Sequence, residues 1–400
     1  MVSDLDIRPL RTAEQKAEGF SLFRSAMLGL PDFDALEPGF ATRFLAEGVG
    51  YGAYDGDNLI AAVNGYGSEI AVPGGNWVRH LGVTHVGVAP EATRRGIARR
   101  MIVHQLRAAL RDGYVVAGLR ASDARIYGRY GYGVGSWSVR QELDLKAARL
   151  LLPSAIARRV SPDDFALFRA IVTRAPASRP AQLQRWDGWW AVQEFRLRHA
   201  TTPHHAVVFG APGEERGLLR FHVEPVANWF TASNRSVIID DLVAHDAEAW
   251  RALIGHLFSQ DILHRSVFPS RPVDDPLGLL LDNPRAVSIS EWRDESWLRI
   301  LDLRRLLDAL PFEQEATLAI RDSIFPENDG IWRIGRRSEK TTAAPEAEIS
   351  IAYFASLAFG AVSVSDFRQV GRIRVHTEDI GRRLEKMFTV GAKPHAGISF

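Results

Sequence analysis

The sequence predicts a mixed α/β protein: two copies of one strand–loop–helix–strand module, followed by a third, different α+β region. Three observations carry this. Between residues 83 and 119 an apolar strand gives way to a helix of period 3.6 and then to another apolar strand. The same order of elements returns between about 155 and 290. The 400 residues also exceed what one hydrophobic core usually holds. The expected regions are 1–150, 151–289 and 290–400.

Ile7 to Leu10 reads as a first strand and residues 12–29 as a helix with Phe20, Phe23 and Leu28 on its apolar side. Residues 31–39 are turn-rich and carry Asp32, Asp34 and Glu37, either a solvated loop or an acidic wall for a cationic amine. Tyr51–Tyr54 and 59–65 flank the turn Asp55-Gly56-Asp57-Asn58, a hairpin signal. A separate strand is expected over 66–72, and 136–145 alternates as a closing strand.

Val83 to Val88 is a strand candidate ended by Ala89-Pro90. From Ile97 on, Ile97, Met101, Ile102, Leu106, Ala109 and Leu110 share one helix face. The junction Thr93-Arg94-Arg95-Gly96-Ile97-Ala98 therefore sits at a helix start, where free amides and the macrodipole attract anions. Gly96 and Ala98 leave room for a pyrophosphate, and Arg94 and Arg95 add charge at its rim. The next strand, Val115 to Leu119, leads to Ile126-Tyr127-Gly128-Arg129-Tyr130-Gly131-Tyr132-Gly133.

This order, with its glycine-containing helix start and IYGRYGYG run, resembles the GNAT superfamily of acetyl-CoA-dependent N-acyltransferases, and within it the Eis-like enzymes. Thr93 departs from the Gln or Arg usual at its position, which implies weaker side-chain help to a loop that works mainly through its backbone. The resemblance implies that the backbone of Val86, Gly87 and Val88 pairs with the pantetheine arm of acetyl-CoA. It places the pyrophosphate on the amides of Arg94, Arg95, Gly96, Ile97, Ala98 and Arg99, and sets Ser122 and Asp123 against the cofactor. Tyr127 matches the family's general acid, with the glycines at 128, 131 and 133 holding it in tight turns. The chain ends in Phe400, whose α-carboxylate is expected to be the general base. An apolar tail, Gly397-Ile398-Ser399-Phe400, suits burial better than a frayed end.

In the second region, helices are expected over 162–174 and 182–198, a hairpin over 206–224, a strand over 237–243 and a helix over 247–260. The counterpart of the anion loop is Ala244-His245-Asp246-Ala247-Glu248, with no glycine or arginine and two carboxylates. It would repel a pyrophosphate, so only the first module should bind cofactor. Trp189, Trp190 and Glu194 fit either a substrate cleft or a domain seam. The last region resembles a sterol-carrier-protein-like fold, with strands at 316–322, 330–336 and 347–351, helices at 352–360 and 377–388, and a polar, mobile stretch at 338–346. Fold alone implies no lipid function.

A net charge of +1 disfavours general nucleic-acid binding, and the absence of cysteine removes disulfides and thiolate chemistry. No HExxH-like spacing occurs, and the adjacent His204 and His205 would point to opposite faces of a strand, so no metal is expected. No signal core or membrane-length apolar run appears, which points to the cytoplasm. The reading is an acetyl-CoA-dependent N-acetyltransferase acting on primary amines of aminoglycoside-like or polyamine-like acceptors or lysine side chains. By resemblance it is a homo-oligomer, a hexamer. The alternative is a lipid-carrier or regulatory protein with an idle GNAT fold; a Ser/His/Asp hydrolase is disfavoured by the lack of a G-x-S-x-G elbow.

Overall fold

The computed structural model describes residues 5–28, 30 and 33–398. The first module runs β1 (Asp6–Leu10), α1 (Ala13–Met27), α2 (Phe33–Leu36), α3 (Phe40–Leu45), β2 (Gly50–Asp55), β3 (Asn58–Ala71), β4 (Trp77–Val88), α4 (Ile97–Arg111), β5 (Val116–Leu119) and α5 (Ala124–Tyr127). Thr12 opens α1 as a capping box, its hydroxyl accepting from the Gln15 amide while the Gln15 side chain accepts from the Thr12 amide. The expected break near residue 65 is absent. A bulge between Ala62 and Asn64 lets β3 run on, with Gly65 paired to Val83 and Tyr66 to Gly82.

Next come β6 (Gly133–Asp144), β7 (Arg158–Val160), α6 (Phe165–Arg174), α7 (Asp187–Arg198), β8 (His204–Phe209), β9 (Gly217–Val223), β10 (Ser236–Ala244), α8 (Ala247–Phe258), β11 (Arg265–Pro272) and β12 (Val287–Ile300). The last region holds α9 (Leu303–Ala309), β13 (Ala316–Arg321), β14 (Gly330–Ile334), β15 (Glu339–Lys340), β16 (Ala347–Ser350), α10 (Ile351–Ala358), α11 (Val364–Gln369), β17 (Ile373–Val375) and α12 (Glu378–Phe388). The stretch expected to be mobile at 338–346 contains β15, which pairs with β14, and a buried Ser338 bonded to the Gly335 carbonyl. Helix α7 starts later than expected. Ala181, Gln182 and Gln184 instead bond with the backbone of Ala71 and Glu69 at the end of β3, satisfying edge groups that a helix would leave open.

The chain forms two compact units. One comprises the described residues of Met1–Ser136, Arg179–Ala191 and Glu295–Phe400; the other comprises Trp137–Ser178 and Val192–Asp294. In the first, the strand order is β1-β2-β3-β4-β5-β12, with β4 and β5 parallel around α4 and the rest antiparallel. In the second it is β6-β11-β10-β9-β8-β7, with β10 and β11 parallel around α8. The modules exchange their closing strands along the chain. Ser138–Asp144, which follows the first module, pairs with β11, and Trp297–Ile300, which follows the second, pairs with β5.

The first unit also carries the five-stranded sheet β15-β14-β13-β16-β17. Arg299, wholly buried, donates to both oxygens of Asp322 at 2.7 Å, and Asp322 also accepts from the amides of Ile324 and Phe325. Such a charge is tolerable in the interior because its counter-ion is fully bonded. The IYGRYGYG run is fitted against this layer. Gly131 adopts a left-handed φ of 81°, and a Cβ on Gly133 would lie 1.8 Å from the Ala352 carbonyl oxygen of α10. Gly128, at φ −56°, makes no such demand. Among the described residues, no helix is long and apolar enough to cross a membrane.

Candidate active site

The site is built where β4 and β5 part. They pair in parallel only from His80–Val116 to Gly82–Gly118, after which β4 continues for six residues without β5. The separation coincides with a bulge: β3 pairs with Thr84 and then with Gly87, skipping His85 and Val86, and His85 takes a positive φ of 51°. Val83 to Val88 therefore keeps β3 on one edge and offers backbone groups on the other. Packing alone demands a glycine at 87. A Cβ there would lie 2.8 Å from the Phe23 Cα of α1.

Beyond β4, the Thr93 hydroxyl donates to the Pro90 carbonyl at 2.9 Å, closing a short 3-10 turn instead of reaching outward. Arg94 and Gly96 have positive φ values of 62° and 77°, alternating with ordinary residues, which turns successive amides towards a common concavity. Gly96 caps α4 with no side-chain bond, and the first helical amide to bond backwards in this loop is that of Arg100, to the Gly96 carbonyl. The amides at such a helix start are the groups that favour an anion. Arg94, Arg95 and Arg99 are exposed around them, with Arg95 3.5 Å from Asp55.

The second module makes the opposite arrangement. Asp246 caps α8 and accepts from the Ala249 amide at 2.8 Å, and Arg216 pairs with both Asp246 and Glu248. Its helix start is already filled by a carboxylate of its own chain.

Tyr127 is buried at the end of α5, in an apolar cluster with Ile97 and Leu119 against which Val86 and Val88 also pack. Burial raises the phenol's pKa above the ordinary tyrosine range, opposed by a hydrogen bond with Ser122. Its ring meets Tyr130 and Tyr132 edge-on, at 6.5 Å and 5.9 Å. Asp123 caps α5 through the Arg125 amide and pairs with the Arg125 guanidinium, which holds its carboxyl down at about 2.

Around the bulge stands an aromatic wall that sequence reasoning only grazed. His85 lies 4.9 Å from Phe20, 5.0 Å from Phe23 and 5.4 Å from Phe44, and Tyr66 stacks on Trp186 at 5.4 Å. Burial pushes His85 down to about 3, so it stays neutral. The acids weighed for this wall are otherwise engaged: Asp34 accepts from the Ala41 amide and Glu37 pairs with Arg43, while Asp32 lies outside the described residues. Trp189 and Trp190 are buried, perpendicular to each other at 5.0 Å and covered by Arg185. Glu194 pairs with Arg169.

The chain's tail returns to the same place. The His395 amide donates to Pro180, the Leu183 amide donates to Ala396, and Ala396 and Ile398 are buried. Arg120, immediately after β5, donates to the Ile398 carbonyl at 3.0 Å. Beneath it lies Glu295, only 2% exposed, accepting from Ser136 Oγ and the Ala396 amide, both at 2.8 Å. Arg120 Nη2 is 3.4 Å and His395 Nε2 is 3.2 Å from its other oxygen. Ser399 and Phe400 lie outside the described residues. Neither Arg120 nor Glu295 belongs to a local motif; only the fold brings them together.

Family models for an acetyltransferase (GNAT) domain match residues 7–135 and 181–300, and one for a sterol carrier protein domain matches 303–397. The crystal structure of Eis1 from Mycobacterium abscessus superposes with a TM-score of 0.92 at 31% identity, covering 99% of this chain and 100% of that one. The chain is an Eis-like GNAT N-acetyltransferase. The N-acetyltransferase Eis of Mycobacterium tuberculosis is 28% identical over 95% of this chain and 96% of its own. An uncharacterised N-acetyltransferase of Streptomyces coelicolor is 29% identical over 92% and 93%. Membership bears out the expected fold and the enzyme class: two GNAT modules, a sterol-carrier-like end and acetyl transfer to amines, with acetyl-CoA as the acyl donor that GNAT domains use.

Proposed function

We propose that this Eis-like enzyme acetylates primary amines of bulky cationic acceptors, aminoglycoside-like or polyamine-like compounds or lysine side chains, with Tyr127 as general acid and the Phe400 α-carboxylate as general base. The observation that carries the reading is the contrast between the two helix starts. Gly96 leaves the α4 amides open beside a split pair of strands, whereas Asp246 closes the equivalent end of α8. Acetyl-CoA supplies the activated acyl group and a thiolate leaving group. Its pyrophosphate fits the amides of Arg94 to Arg99, and its pantetheine arm fits the free edge of β4 at Val86, Gly87 and Val88. An amide of that edge is suited to polarising the thioester carbonyl. Ser122 and Asp123 flank the thiol end, with Ser122 also holding the phenol.

As the amine nitrogen bonds to the acetyl carbon, its surplus proton passes to the Phe400 carboxylate, directly or through water. As the carbon–sulfur bond breaks, the Tyr127 phenol gives its proton to the sulfur. Burial keeps the phenol protonated at neutral pH, and the Ser122 hydrogen bond steadies the phenolate once formed. Support for the base comes from the tail: its last described residue is bonded to Arg120, two positions before Ser122. The aromatic wall, with His85 kept neutral, suits a cationic acceptor because its rings attract an ammonium and its histidine does not repel one.

The test is a screen of amine acceptors that follows thiol release, run beside a chain carrying one extra glycine after Phe400. Turnover of the extended chain should fall at least about 100-fold, the scale of a lost general base, with coenzyme A affinity unchanged. Full activity of the extended enzyme would remove the carboxylate's role.

A further inference from the structure

The second unit carries a polar cluster that acetyl transfer does not use. His204 on β8 stands directly opposite His222 on β9, and their rings stack 5.0 Å apart. Asp240 on β10 lies at the bulge between Ile239 and Asp241, where Ile238 is the partner of His222. The side chain of Asp240 lies beside His222, the two hydrogen-bonded. His205, by contrast, turns to the other face and stacks on Phe221. The ligand-bearing neighbours of His204 are across the strands, not along the chain.

We propose that His204, His222 and Asp240 bind a divalent transition-metal ion of the zinc class, through His204 Nε2, His222 Nδ1 and an Asp240 oxygen, with solvent completing the coordination. One ligand atom from each residue falls within a set whose members are all within 4.8 Å of one another. His222 Nδ1 is 2.8 Å from Asp240 Oδ1, and His204 Nε2 is 3.9 Å from Asp240 Oδ2. Donors around a tetrahedral ion with bonds of about 2.0–2.1 Å lie roughly 3.3 Å apart, so small side-chain rotations bring these atoms to bonding distance.

His204 Nδ1 is 3.0 Å from the Thr202 carbonyl oxygen, which has no proton to give, so the proton sits on Nδ1 and the Nε2 lone pair is free. This is how a metal-binding imidazole is usually oriented. His222 needs only a tautomer change, its proton moving from Nδ1 to Nε2 as the ion takes its place. Two imidazoles and one carboxylate suit zinc-class ions better than magnesium or calcium, which prefer all-oxygen sites. An ion there ties together three adjacent strands, β8, β9 and β10.

The test uses the full chain, stripped with a chelator. Calorimetric titration with Zn²⁺ should show one saturable site per chain, and Co²⁺ should give visible bands of a low-symmetry nitrogen–oxygen environment. His204→Gln and His222→Gln, which keep bulk and polarity, should each weaken Zn²⁺ binding at least about tenfold and abolish the rise in Tm that Zn²⁺ gives the parent. His376→Gln, in the other unit, should leave Zn²⁺ binding and the Zn²⁺-dependent rise in Tm as in the parent. Absence of saturable binding to the parent, featureless Co²⁺ spectra, or a stoichiometric site that survives both His204→Gln and His222→Gln would overturn the proposal.

Discussion

Glu295→Gln is the most discriminating change to the acyl-transfer site. The native carboxylate accepts from two donors on each side: Ser136 Oγ and the Ala396 amide on one oxygen, Arg120 and His395 on the other. Glutamine keeps its shape but replaces one oxygen with an NH2, which must then face donors. In either orientation the Arg120 charge loses its counter-charge, and one pair of donors, Ser136 with the Ala396 amide or Arg120 with His395, loses its acceptor. A charge-assisted bond is worth about 1.5–3 kcal/mol, and leaving a buried partner unpaired raises the cost, so about 3 kcal/mol is reasonable for tail docking. That corresponds to roughly a hundredfold change in the ratio of undocked to docked tail. The tail should become more open to carboxypeptidase by that order, and kcat should fall at least about tenfold with the KM for acetyl-CoA within about twofold. A tail that stays protected, with kcat unchanged, would refute the clamp. A released tail with unchanged kcat would spare the clamp and remove the terminal carboxylate from the chemistry.

Other changes probe the remaining parts. Tyr127→Phe should lower kcat by about 10²–10⁴-fold without altering coenzyme A affinity by calorimetry, because the phenol is asked only to give a proton. Because burial raises the phenol's pKa, no loss of activity from its ionisation should appear below about pH 10 in a pH profile. Gly96→Asp should weaken coenzyme A binding at least about tenfold, since it copies the self-capping Asp246 and Asp tolerates a left-handed φ; unchanged affinity would mean the helix start is not the anion site. Gly87→Ala should lower Tm and activity together, because the Phe23 backbone 2.8 Å away must retreat and drag α1 from the aromatic wall.

The parts legible in the sequence were those encoded in contiguous residues. The helix start at Gly96, the buried face of α4 and the IYGRYGYG run each announce themselves by local spacing, and each lies where that spacing implies. What escaped is set by partners far along the chain. A strand alternates with period two whichever neighbour it pairs with, so nothing in residues 297–300 says that they lie against β5. Residues 182–186 carry helical spacing yet are drawn into extended structure by the open end of β3. His222 and Asp240 meet His204 only through strand register, and Glu295 meets His395 across 100 residues.

That exchange of strands makes the sheet of the first module depend on chain that lies beyond the second. The second module's anion loop is spent: Asp246 fills the helix start and Arg216 neutralises the acids there. Yet the strand that covers the far edge of β5 is reached only after the chain has passed through that module, and Glu295 opens that stretch. Leu298 and Ile300 are buried in it, side chains worth about 1.5–3 kcal/mol each when fully buried. An acetyltransferase module cut free near residue 150 would keep the residues of its anion loop and Tyr127 but lose the strand beside β5, the carboxylate that seats the tail, and the tail. The sheet of the first module is therefore completed by residues that follow the second.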